Sequence, residues 1–211
     1  TGLYQYSTAY DIAGFDITDE ASPYVQGVKY SRTTDTSFFG ISVQDQAFGA
    51  DSDRLGGDSD GNYGLELATS RDLGNGFNVF AGVAFDKRES GDDQLINTYV
   101  TYETGAWLFA AELKLEENLQ GGTAEIDLTS YMVMANYAYS DVASVTGRVM
   151  DFTLDLGGFE VLDGTKLTLA HNYAFSDNLA LCAEVSQSDG EIGGVLDIDV
   201  TSCAVELLFT F

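Results

Sequence analysis

The chain carries little positive charge. Nine Lys plus Arg stand against 34 Asp plus Glu, a formal net charge of −25. A surface that holds phosphate backbones needs a basic footprint, so this balance argues against nucleic acid as a partner. No run of roughly 18 apolar residues occurs, which excludes a transmembrane helix. It leaves open a membrane β-barrel, whose strands hide their apolar half by alternation. Proline occurs once and histidine once, as His171. No long connection contains a His, so a water-activating Asp–His pair cannot be assembled there, and no other nucleophile–base set is visible. An enzyme is not expected. Two cysteines, Cys182 and Cys203, fit an oxidising compartment without requiring one. No charged start followed by an apolar core stands at Thr1, and the expectation is a chain whose signal peptide has been removed.

Acidity alone can mark disorder, but 45% of residues are apolar and 12% aromatic, too many for a disordered chain. Twelve Tyr, thirteen Phe and 23 Gly suggest strands and turns rather than helices. Strand-like segments recur near 3–12, 24–32, 37–44, 63–71, 77–86, 94–103, 107–116, 129–139, 144–155, 165–175, 179–188 and 198–211. Each is about ten residues, the length of a tilted membrane strand. Their connections alternate in length. TTDT, DLGNG, TGA, SDVA and SDN are short, whereas 13–23, 45–62, 87–93, 117–128, 156–164 and 189–197 are long. The expected fold is therefore all-β. It is a transmembrane antiparallel up-and-down β-barrel of about 12 strands spanning 1–211 as one domain, with short periplasmic turns and long external loops.

The phase of each strand supports this. Trp107, Phe109, Ala111, Leu113 and Leu115 share one face, with Glu112 and Lys114 on the other. Phe77, Val79, Ala81, Val83 and Phe85 form a second apolar face. The aromatics Phe77, Tyr102, Trp107, Tyr137, Tyr139, Tyr173, Phe175, Phe209 and Phe211 all fall near the short turns. That is an aromatic girdle at a bilayer interface, and it makes the apolar face the lipid-facing one.

With Phe211, Phe209, Leu207 and Val205 in phase on the last segment, the turn–loop alternation and the girdle, the chain resembles the Gram-negative outer-membrane β-barrel family, its porins in particular. The resemblance implies the bacterial outer membrane as location, with lipid and lipopolysaccharide as surroundings. It also implies a C-terminal aromatic read by the barrel assembly machinery, and either a monomer or a homotrimer. An outer-membrane phospholipase also uses an outward His, but Tyr173 stands where its Ser would be needed.

On the lumen phase the bases are Lys29, Lys114, Arg148 and Lys166, and the acids Glu66, Glu112, Glu184 and Glu206. They read either as ion pairs filling a closed lumen or as the lining of a pore. Gly27, Gly40, Gly64 and Gly82 share that phase on four consecutive segments. The connection 45–62, with Asp51, Asp53, Asp58 and Asp60, is expected to fold inward against this glycine wall. Curvature is the plainer reading of those glycines. Asp58, Asp60 and Asn62 resemble the opening of an EF-hand loop, without its Gly at the sixth position or its Glu at the twelfth. Ca2+ or Mg2+ at the acidic loops is the cofactor this pattern allows. Acids dominate the long connections, an expected cation-attracting rim. The function expected is passive diffusion of ions and small polar solutes, favouring cations. The alternative is a closed-lumen barrel whose acidic loops bind ions, lipopolysaccharide or a partner protein. Cys182 falls on the lumen phase and Cys203 on the lipid phase, which argues against a disulfide.

Overall fold

The computed structural model describes residues 27–44, 63–87, 92–117 and 126–209. They form one antiparallel sheet in which every strand pairs with its neighbour in sequence. The strands are β1 (Gly27–Thr33), β2 (Ser37–Gln44), β3 (Tyr63–Gly74), β4 (Phe77–Lys87), β5 (Asp93–Thr104), β6 (Trp107–Glu117), β7 (Ile126–Ser140), β8 (Ala143–Leu156), β9 (Phe159–Ser176), β10 (Leu179–Ile192) and β11 (Leu196–Phe209). Eleven of the twelve expected segments are thus strands, and the first, 3–12, lies outside the described residues.

Alternation decides which face each side chain joins, because successive Cβ atoms point to opposite sides of a strand. On β3 and β4, Glu66, Ala68, Phe80 and Ala84 are buried, while Leu65, Leu67 and Val83 between them are exposed. The buried side chains of every strand meet on one face by register, as in the row Gly40, Ala68, Gly82, Asn97, Lys114 and Ser130 across β2 to β7. No second layer covers that face among the described residues. A sheet this wide buries a whole face without a partner layer only by curling on itself, as barrels do. The exposed face is apolar, an arrangement that would aggregate in water and suits lipid.

Rings collect on the outer face at the end holding the turns 34–36, 75–76, 105–106, 141–142 and 177–178, called here the turn end. Phe77 stacks on Tyr102 at 4.3 Å, Trp107 on Phe109 at 5.6 Å, and Tyr173 meets Phe175 edge-on at 4.9 Å. His171 joins them through a 2.6 Å hydrogen bond between its Nε2 and the Tyr139 hydroxyl. This is the expected girdle; Phe211 lies outside the described residues. On β9 the apolar outward residues run from Phe175 to Leu167 and give way to Thr165 and Asp163. Eight steps make about 27 Å along the strand. A tilt of about 40° reduces this to roughly 20 Å, near the height of a barrel's lipid band.

Two expected long connections are corrected. Residues 156–164 and 189–197 are not loops: β8 runs to Leu156 and β9 resumes at Phe159, while β10 runs to Ile192 and β11 resumes at Leu196. Gly157 and Gly158 in one turn, and Gly193 and Gly194 in the other, have positive φ, which lets each hairpin close tightly. β7–β11 have 14 to 18 residues and β2–β6 have 8 to 12. The five later strands therefore extend beyond the apolar band at the far end.

Candidate functional site

The charged side chains of the sheet interior form the candidate site. Glu66, Glu112, Lys114, Arg148, Lys166 and Glu184 all lie on the inner face, each no more than 7% exposed. Lys29 and Glu206 lie on the same face by register, opposite Ser42 and Cys182. Both are exposed, because β1 and β11 are the terminal strands of the described sheet. Asp51, Asp53, Asp58, Asp60 and Asn62 lie outside the described residues. Gly40, Gly64 and Gly82 are buried on the inner face, and Gly27 reaches it by register.

Burying ions is expensive unless each is paired and hydrogen-bonded. Ser42 Oγ donates to Glu66 Oε2 at 2.7 Å. Asn97 Nδ2 donates to Glu112 Oε1. Lys114 Nζ lies 3.4 Å from Glu116 Oε2. Asn136 Nδ2 donates to Thr146 Oγ1 at 2.7 Å and to Ser144 Oγ at 3.2 Å, adding a neutral polar patch toward the turn end.

Three inner acids were not among the expected site residues: Asp86, Asp93 and Glu116. Asp86 and Asp93 are opposite one another across β4 and β5, both 0% exposed. The alternation of β4 and β6 carries straight to Asp86 and Glu116, so these two were legible. Asp93 had been counted in a loop. Inner acids thus gather on β3–β6, while Arg148 and Lys166 sit on β8 and β9.

Apolar groups share the interior. Phe80 stacks on Tyr99 at 4.7 Å with a 9° interplanar angle, beside Ala68, Ala84 and Leu95. Met132, Met134 and Met150 cluster with Ala110, and Leu108 and Phe152 pack against them. Cys182 and Cys203 are free. Cys182 Sγ donates to Asn172 Oδ1 at 2.7 Å on the inner face, whereas Cys203 pairs with the outward Val185. No group of three or more His, Cys, Asp or Glu side chains suited to a metal ion occurs among the described residues. Two grooves, about 420 and 430 Å3, open on the outer face instead, one at Gly147, Leu169 and Val185, the other at Ile41, Leu67 and Val83. They are dents in the lipid-facing band.

No protein-family model and no curated protein matches the chain. Solved structures do. The outer membrane channel DcaP of Acinetobacter baumannii superposes with a TM-score of 0.67 at 11% identity, over 89% of this chain and 62% of that one. OmpT, an outer membrane protein of Vibrio cholerae, matches in its trimer form with a TM-score of 0.66 at 16% identity, over 87% and 64%. The NanC porin matches with a TM-score of 0.54 at 10% identity, over 88% and 92%. The chain spans less than two thirds of the length of the first two. With an outward apolar band, a girdle of rings at one end and charges turned inward, the chain has the fold of the outer-membrane β-barrels, porins and channels among them.

Proposed function

We propose that the protein is an outer-membrane channel for passive diffusion of ions and small polar solutes, with no catalytic step. The observation that carries this reading is the charged inner face, with acids on β3–β6 opposed to Arg148 and Lys166 on β8 and β9. A barrel that served only as a scaffold has no need of so many costly ions inside it. The likeness to a channel and a porin adds support. Near-complete burial of these side chains means that any passage beside them is narrow.

That same burial favours a second reading, a closed lumen in a barrel that binds ions, lipopolysaccharide or a partner protein at its rim. Cation preference was expected from acids lining the mouth. On β7–β11, however, the acids of the extension face outward, so the preference now rests on connections outside the described residues and on the net charge of −25. Ca2+ or Mg2+ at Asp58, Asp60 and Asn62, an inward course for 45–62 and a trimeric assembly belong to the same proposal.

Single-channel recording in planar bilayers tests it. Conductance steps whose reversal potential in a salt gradient follows the cation support the channel. Silence from protein that still shows heat-modifiable migration on a gel removes it in favour of the closed lumen. A variant lacking 50–60 with unchanged conductance counts against the inward loop.

A further inference from the structure

At the far end of β7–β9 the pattern of the lipid band is reversed. Every strand acid there, Asp127, Asp151, Asp155, Glu160 and Asp163, stands on the outer face, since each pairs in register with another outward residue. Thr165 Oγ1 donating to Asp151 Oδ2 at 3.0 Å fixes that level. An outward wall of carboxylates belongs in water, so this part of the sheet stands clear of the bilayer. Yet the inward residues at the same level are apolar: Leu128, Leu154 and Leu162 form one register row, continued by Ile192 and Leu196 on β10 and β11. Toward the tip these inward residues are open to solvent, Leu196 by 57% and Phe159 by 76%. Lipid cannot be the reason for them.

Charge on the same face has one sign. Arg148 and Lys166 are the bases of the β7–β9 strands, and both point inward. No inward acid occurs on these three strands among the described residues; such acids begin on the flanking strands, with Glu112 and Glu116 on β6 and Glu184 on β10. From Leu162 to Lys166 is four residues, about 13 Å along β9. Phe152 lies between these levels, its ring covering Gly164 so closely that a Cβ there would be 2.9 Å from Cζ.

The geometry points to a binding surface for organic monoanions with an apolar body on the inner face of β7–β9. The body lies against Leu162, Ile198 and Phe152, and its carboxylate is drawn toward Lys166 and Arg148. Both parts are needed. Acetate has the charge without the body, and an alkylammonium ion has the body with the wrong sign. The surface names a solute class for the proposed channel and rests on that reading only for how the solute arrives.

The test compares octanoate, octylammonium and acetate as blockers of single-channel current in about 1 M KCl, where a Debye length of about 3 Å screens the distant acids. Octanoate is expected to interrupt the current at concentrations where the other two do not. Ile198→Ser should weaken its effect by about tenfold, the loss of one buried aliphatic side chain. Lys166→Gln should bring octanoate and octylammonium closer together. Equal block by both ions in the unaltered protein, or an Ile198→Ser variant indistinguishable from it, overturns the inference. Should Lys166→Gln fail to show heat-modifiable migration, Leu196→Ser, remote from the charges, stands in for Ile198→Ser and is read the same way.

Saturation-transfer NMR with hexanoate on protein in nanodiscs, corrected by empty nanodiscs, separates this surface from the channel. Transfer from a protein that does not conduct retains the surface and removes the channel. A conducting protein without transfer removes the surface.

Discussion

Trp107 and Tyr137 stack across β6 and β7, with ring centroids 4.6 Å apart and planes inclined by 31°, both on the outer face at the turn end. Rings of this kind, apolar with one polar edge, are most stable where hydrocarbon meets water. The pair therefore marks one border of the lipid band, and Trp107 is the protein's single tryptophan.

A single indole gives an unambiguous optical readout. In liposomes, Trp107 fluorescence should be strongly quenched by lipids brominated near the head-group end of the chain and weakly by acrylamide from water. Strong acrylamide quenching with no effect of brominated lipid would place Trp107 away from the bilayer and undo the inside-out assignment of the faces.

The upper border of the band can be found by charge scanning along β9. Leu169 lies within the band, while Thr165, on the same face one turn of the alternation beyond Leu167, lies above it. Leu169→Arg should destabilise the folded barrel by about 2 kcal/mol, and Thr165→Arg by less than about 1 kcal/mol. Urea unfolding of the liposome-inserted protein measures both. Equal costs at the two sites would mean that β9 does not leave the bilayer between them.

The turn between β3 and β4 offers a local test of backbone geometry. Gly76 has a φ of +86°, and a Cβ built on it would sit 2.1 Å from the carbonyl oxygen of Glu103, next to the 2.9 Å bond from Glu103 N to Gly76 O. Gly105 also has a positive φ, +58°, but nothing within 4 Å of the Cβ position. Gly105→Ala pays left-handed strain alone, about 1 kcal/mol. Gly76→Ala also has to move a backbone carbonyl and should cost at least twice as much. Unfolding midpoints that rank the two variants the other way would show that this turn is not formed as described.

Much of this architecture could be read from the chain before any coordinates. Strand positions were legible because alternation with period two is a local property, and Phe77 to Phe85 or Trp107 to Leu115 display it without interruption. The inner charges Glu66, Lys114, Arg148 and Lys166 followed from the same rule. Asp155, Asp163, Asp189 and Asp197 were assigned to loops or their borders because acids next to glycines resemble loop composition. In fact they continue the strands with the polarity of the two faces exchanged. Lys29 and Glu206 keep the expected phase but are exposed, since on a terminal strand burial depends on the neighbour that would lie beyond it.

The chain alone was enough to establish an all-β antiparallel sheet, its turns, its apolar lipid-facing side and its ring-lined border. Each of these is set by short-range alternation and by the preference of rings for an interface. Tertiary structure was required for relations between strands. Register placed Asp86 opposite Asp93, brought Met132, Met134 and Met150 together with Phe152, and showed Leu162 and Leu196 facing inward behind a wall of outward carboxylates. Such rows join residues far apart in sequence, and whether a face meets lipid, water or its own barrel depends on how far each strand stands beyond the bilayer.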